Sequence, residues 1–159
     1  VGTENRLLRK PGLAFLSTRA GAWANRKLVP IDRWLLKRSA GRYTVFGPFA
    51  TPLMLLTTTG RRKGEPKTIP LVYYREGSQI FVVGSNYGQA NHPAWSGNLL
   101  ADPSATVATG GKAIPVTATL LAEPERTRIF QAFKDMFSTY HGYEHRTTRS
   151  LRVFALTAA

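Results

Sequence analysis

From residue 53 onward, apolar and β-branched residues fall in short blocks separated by turn-forming clusters, a pattern that predicts strands more than long helices. Residues 53–59 (LMLLTTT) read as a strand, 60–66 (GRRKGEP) as a turn-rich loop and 68–75 as the strand returning from it. Glu76-Gly77-Ser78 turns the chain into a strand over 79–84, where Ile80, Phe81, Val82 and Val83 are consecutive. Residues 87–91 form a loop, and Pro93 opens a short helix that reaches Leu100 and stops before Pro103. Gly110-Gly111 suits a primed turn and joins strands over 105–109 and 112–121. Ile129, Phe130, Phe133 and Phe137 mark one face of a helix over 124–137, and 151–156 is a final strand. Ahead of these, Leu13, Leu16, Ala20, Trp23, Ala24 and Leu28 recur at helical spacing; Ile31, Trp34 and Leu35 resume the pattern after Pro30 and end near Gly41.

About six strands joined mostly by hairpins predict an α+β chain. It is an antiparallel barrel or roll, with N-terminal amphipathic helices and short helices attached to the sheet. A doubly wound parallel sheet is excluded by the order of elements, and neither GxGxxG nor a P-loop occurs. The expected organisation is a single domain over 1–159, with a basic helical extension over 1–42 and a barrel body over 50–157.

Composition changes the picture mainly through charge. The 159 residues are 43% apolar, enough for one core, and contain no cysteine, which removes disulfides, thiolate metal sites and a thiol nucleophile. The three histidines are scattered, so no metal site is expected. No run approaches the ~18 apolar residues of a membrane span, and Pro11 and Arg19 interrupt residues 1–20, so a cleaved signal peptide is not expected and a cytoplasmic location is. Net charge is +13. Residues 1–42 hold ten Lys/Arg against Glu4 and Asp32, a local +8, whereas Arg61, Arg62, Lys63 and Lys67 against Glu65 give the hairpin +3. Two basic centres imply two acidic partners: a polyanionic small molecule at the hairpin and, for the Trp-bearing basic helices, an anionic membrane surface. Helices simply packed on the barrel are the alternative for the second.

The chemistry suggested by these residues is binding. A Gly-flanked loop with four bases can converge side-chain and backbone donors on a phosphate or carboxylate tail, with the preceding threonines adding hydroxyls; a solvated hairpin tip is the competing reading. Gly84 at a strand end lets a ligand approach the backbone, and Ser85 can donate to a ring carbonyl. Trp95 and Asn98 lie one turn apart on the short helix and suit a planar ring, or equally a core contact and a backbone cap. The aromatic run from Phe137 to His145, with Gly142 inside it, reads as a loop covering a pocket. No acid–base pair, triad or metal cluster emerges, so an enzyme of this sequence needs a bound cofactor for its chemistry.

LLTTTGRRKGEPKTIPLVYYREG followed by SNYGQANHPAWSGNLLADPSATV resembles the deazaflavin-dependent nitroreductase family of actinobacteria. The shared marks are the TTTGR-basic-x-Gly-x-Pro-basic hairpin, the strand ending in Ser before a Gly-containing loop, and the Pro-x-Trp-x-x-Asn-Leu helix before an Asn/Asp-Pro. The resemblance implies a split β-barrel that binds reduced 8-hydroxy-5-deazaflavin (coenzyme F-420), whose phosphate and oligoglutamate tail is polyanionic. It implies that Arg61, Arg62 and Lys67 hold the tail, that Thr59 and Gly60 also bind the cofactor, and that Gly84, Ser85, Asn86, His92, Pro93, Ala94, Trp95 and Asn98 surround the deazaflavin. The implied activity is hydride transfer to a quinone, cyclic enone or nitro compound. Val72, Phe137, Tyr140 and Tyr143 would line the acceptor pocket, with Ser85, Tyr140 and Tyr143 as the catalytic hydroxyls and Tyr140 as the favoured proton donor.

The chain departs from the nitroreductase pattern at Val72 and Phe137, where the pattern has tyrosines, at Arg146, where it has tryptophan, and at Asn86, where it has lysine. Cofactor binding is expected to survive these changes; reduction of bicyclic nitroimidazoles is put in doubt. An FMN-binding split barrel is the runner-up enzyme, with fewer charges on its cofactor than four bases require. A non-catalytic nucleic-acid-binding module is the alternative of another class. It is disfavoured by the lack of basic–aromatic interleaving, and no nucleic-acid partner is expected.

Overall fold

The computed structural model describes residues 52–159 together with residues 31, 34, 35 and 37–39. The expected helix over 13–28 lies outside the described residues; of the second, residues 31, 34, 35, 37 and 38 are helical. Seven strands follow: β1 (Leu53–Thr59), β2 (Pro66–Val72), β3 (Tyr74–Glu76), β4 (Gln79–Val83), β5 (Ser104–Thr109), β6 (Lys112–Leu120) and β7 (Val153–Ala158). The helices are α1 (Ala94–Ala101), α2 (Glu125–Met136) and α3 (Thr139–His145).

The strands form one antiparallel sheet in the order β2-β1-β5-β6-β7-β4-β3. β2 and β3 are therefore opposite edges of the sheet, yet only Tyr73 separates them in the chain. The sheet must curl until its edges meet, and the Tyr73 amide donates to the Pro52 carbonyl at 3.2 Å beside that junction. The single strand expected over 68–75 is thus two strands, which raises the count among the described residues to seven. β2 pairs only with β1 and tolerates Pro66 and Pro70 because an edge strand has one unpaired side.

The consecutive apolar residues of β4 are explained by burial on both faces. Ile80 and Val82 join Met54, Leu56, Trp95, Val107, Phe154 and Leu156 in one cluster, while Phe81 and Val83 join Ile129, Phe130, Phe133, Tyr140 and Val153 in the other. β7 alternates in the same way. α1 packs on the first cluster through Trp95, whose ring lies 5.8 Å from that of Phe154. α2 packs on the second through Ile129, Phe130 and Phe133, at the spacing that put them on one predicted face. The segment expected as an aromatic loop forms α3, with Gly142 inside the helix.

Candidate functional site

Loop 60–65 is built on two backbone bonds: the Gly60 amide donates to the Glu65 carbonyl at 2.8 Å, and the Gly64 amide to the Gly60 carbonyl at 2.7 Å. A Cβ on Gly60 would meet the Glu65 carbonyl at 3.0 Å, and Gly64 has φ +70°, so both glycines are needed for the closure. The result projects Arg61, Arg62, Lys63 and Lys67 as exposed side chains. Lys67 pairs with Glu65 at 3.0 Å, in solvent, where such a pair is weak. Arg62 and Lys63 carry no ion pair among the described residues.

An open cleft of about 700 Å³ lies between this hairpin and the start of α1. The hairpin contributes Gly60, Arg61, Arg62, Lys63, Glu65 and Lys67; Ile69, Ala94, Trp95 and Asn98 complete the lining. Asn98 fixes the two sides together. Its Nδ2 donates to Thr58 Oγ1 at 3.0 Å, its Oδ1 accepts the Arg61 amide at 3.3 Å, and the side chain is buried. Gly97 faces the guanidinium of Arg61, and a Cβ there would occupy the space of Arg61 Nη1. A small residue on α1 therefore seats a large cation of the hairpin.

Of the residues implied for cofactor contact, Gly60, Arg61, Arg62, Lys67, Ala94, Trp95 and Asn98 converge on this cleft. Thr59 instead bears on Asp102, whose carboxyl is held below its ordinary range first by the Ser104 amide, which donates to Asp102 Oδ1 at 3.0 Å, and then by Thr59. Gly84 abuts the ring of Pro93, at 3.5 Å from a Cβ built on the glycine, and so joins the end of β4 to the entry of α1. Lys63 and Ile69 also line the cleft, outside the contacts that the resemblance implies. Lys63 stood within the counted charge run, and Ile69 shares a strand face with Lys67 by alternation.

A second group gathers where α3 covers the turn after β4. Asn86, Tyr87 and Gly88 have φ of 46°, 55° and 75°, three successive left-handed residues. Gly88 is required: a Cβ there would lie 2.9 Å from the Arg146 side chain and 3.3 Å from Tyr143 Cα. The rings of Tyr140 and Tyr143 are 5.2 Å apart, and that of Tyr87 is 6.3 Å from Tyr143. Val72, Phe137 and Tyr143 are half-buried against the cluster that contains Tyr140. The four residues implied for an acceptor wall are therefore brought together. Burial, then the neighbouring Tyr143, pushes the Tyr140 phenol well above its ordinary value, against the opposing influence of the Ser85 side chain. The phenol stays protonated across the working pH range as a hydrogen-bonding group.

Arg149 carried no signal in the sequence. Its Nε donates to the Gln89 carbonyl at 3.0 Å, Nη1 to the Gly84 carbonyl at 3.1 Å and to His92 Nδ1 at 3.0 Å, and Nη2 to the Ser85 carbonyl at 2.8 Å. His92 is held below its ordinary value of 6.5 by burial, then by the charges of Arg152 and Arg149. Among the described residues there is no His/Asp/Glu cluster that could hold a metal, and no helix is long and apolar enough to cross a membrane.

The family described as F420H(2)-dependent quinone reductase matches residues 31–158. An F420H(2)-dependent quinone reductase of Mycobacterium tuberculosis is 34% identical over 113 residues, 69% of this chain and 76% of the relative. A solved structure of an F420-H2 dependent reductase (FDR-A) superposes with a TM-score of 0.61 at 32% identity, covering 66% of this chain and 93% of that one. The heme storage protein HutZ of Vibrio cholerae, at 11% identity and a TM-score of 0.53 over 83% of this chain and 90% of its own, shares the fold alone.

Proposed function

The chain belongs to the F420H(2)-dependent quinone reductase family, and from that premise we propose that it uses reduced coenzyme F-420 to reduce a quinone. The observation that carries the reading is the cleft itself, in which four cationic side chains of one hairpin face Trp95 and Ile69. Such a lining fits a ligand with a polyanionic tail and a flat apolar head. When bound, the reduced deazaflavin supplies a hydride to the acceptor.

The protein's part is to hold the cofactor and to place a hydrogen-bond donor at the acceptor. Arg61, Arg62, Lys63 and Lys67 bind the tail, with Asn98 fixing the hairpin against α1. Trp95 and Ile69 exclude water from the ring. Ser85, whose side chain bears on the Tyr140 phenol, presents a hydroxyl to the oxygen that gains charge on the acceptor. Tyr140 acts through Ser85, and Tyr143 with Val72 and Phe137 forms the acceptor wall. Cyclic enones and nitroaromatics share the electron-poor character of a quinone and are secondary acceptors in this reading.

Anaerobic single-turnover oxidation of the reduced deazaflavin by a soluble naphthoquinone tests it. The wild type is expected to accelerate the reaction in proportion to quinone occupancy. Tyr140→Phe keeps the ring and removes one neutral hydrogen bond of about 0.5–1.5 kcal/mol, so its rate falls up to about tenfold while cofactor affinity holds. A rate independent of protein contradicts the function; an unchanged Tyr140→Phe rate contradicts the role of that hydroxyl alone.

Peripheral association with anionic lipid is a further part of the proposal. Ile31 and Trp34, three residues apart on helical backbone, are 54% and 61% exposed, and Lys37 and Arg38 beside them are also exposed. Exposed aromatic and aliphatic side chains next to cations suit the headgroup region, where each base contributes about 1 kcal/mol. The full chain is expected to sediment with anionic liposomes at low salt, to be released by salt, and to stay in solution with neutral ones. Equal behaviour of a variant lacking residues 1–42 contradicts this assignment.

A further inference from the structure

A guanidinium only donates hydrogen bonds, so each acceptor of Arg149 has a defined state. Three of the four are carbonyls, of Gly84, Ser85 and Gln89. The fourth is His92 Nδ1, which must carry a lone pair to accept at 3.0 Å. The imidazole is then neutral, with its proton on Nε2. Arg149 reaches all four from 57 to 65 residues away in sequence, using all three of its nitrogens.

The segment it grips needs gripping. Asn86 and Tyr87 are non-glycine residues in the left-handed region, a conformation that persists only where surroundings over-determine it. Local bonds supply part of the restraint: the Gly88 amide donates to the Ser85 carbonyl at 2.9 Å, and Asn86 Nδ2 to the Asn91 carbonyl at 2.9 Å. Arg149 adds the restraint that spans both ends, from Gly84 to His92. The segment begins at Ser85, whose side chain bears on the Tyr140 phenol, and ends at His92, one residue before the ring that packs on Gly84 and two before Ala94 of the cleft.

We propose that Arg149 is a positioning residue for hydride transfer, clamping the turn from Gly84 to His92 so that Ser85 meets the acceptor and His92 is locked as the neutral Nε2–H tautomer. The role in hydride transfer rests on the deazaflavin reading of the cleft; the clamp and the tautomer do not. His92 can then only donate through Nε2, and protonation of Nδ1 would expel the guanidinium. Arg149 and Arg152 are the charges that bear on this ring, and both oppose its protonation.

The test compares full-length wild type with Arg149→Met and Arg149→Lys. Imidazole nitrogen shifts and a His92 titration by NMR are recorded without cofactor, and turnover with reduced deazaflavin and naphthoquinone separately. Wild-type His92 is expected to show the Nε2–H tautomer and a titration below 6.5. In Arg149→Met the titration moves up in pH and the tautomers mix, while the single-turnover rate falls about tenfold or more. Added methylguanidinium restores part of that rate in the Met variant but not in wild type. Arg149→Lys, which keeps the charge but not the forked geometry, is expected to hold the His92 titration low and still lose rate. A wild-type His92 protonated on Nδ1, or a Met variant with unchanged titration and unchanged rate, overturns the proposal; so does a rate loss in the Met variant without any change at His92. If wild type binds no deazaflavin, the cofactor reading falls, and the NMR arm still decides the clamp.

Discussion

Reversing Arg62 and Lys67 together to glutamate is expected to weaken binding of a long-tailed deazaflavin at least about a hundredfold, with little change in thermal stability. Each charge-assisted contact contributes roughly 1.5–3 kcal/mol, so losing two costs about 3 kcal/mol at the low end, and reversal adds repulsion. Stability is spared because both side chains are exposed, and the one ion pair affected, Lys67 with Glu65, lies in solvent. Loop closure rests on the backbone bonds of Gly60 and Gly64, which neither change touches. The loss should grow with the number of glutamates in the tail and shrink at high salt, where exposed charges are screened. Arg62→Gln with Lys67→Gln separates the two contributions by removing charge without reversing it. Fluorescence titration of the paired variants checks both. An unchanged affinity would make the hairpin a solvated tip.

The sequence was most readable where one physical constraint dominated. β1 and β4 follow from apolar runs with no competing pattern, and the helix over 125–136 from three aromatic and aliphatic residues on one face. The split at Tyr73 was hidden because alternation records which face a residue points to and not which strand it pairs with. The run from Phe137 to His145 reads as a loop on its glycine. In the fold, Tyr140 is driven into the cluster of Phe130, Phe133 and Phe137, and the backbone around it becomes helical with Gly142 inside. Tertiary burial outweighed local propensity there.

For the site, the hairpin was legible as a charged loop because its four bases lie within seven residues of sequence, and the structure places all four on the cleft. Asn98 admits two roles on sequence alone, and the structure shows the backbone one, accepting from the Arg61 amide, together with a bond to Thr58. Arg149 was illegible for a plain reason. Three of its four partners are backbone carbonyls, which every residue possesses, so no residue pattern announces the contact.

The central claim is that the cleft is built for a cofactor with a polyanionic tail, and one titration tests it most directly. FMN offers a single phosphate, whereas the deazaflavin tail carries a phosphate and several carboxylates toward four cationic side chains of the cleft. Two additional charge-assisted contacts of roughly 1.5–3 kcal/mol each, partly screened at an open cleft, still separate the ligands by about a hundredfold. Purified wild-type protein titrated with each cofactor at low and at physiological salt, followed by fluorescence, is expected to bind coenzyme F-420 at least about a hundredfold more tightly than FMN. The gap should narrow as salt rises. FMN binding as tightly as the deazaflavin, or a deazaflavin affinity indifferent to salt and to tail length, would contradict the account.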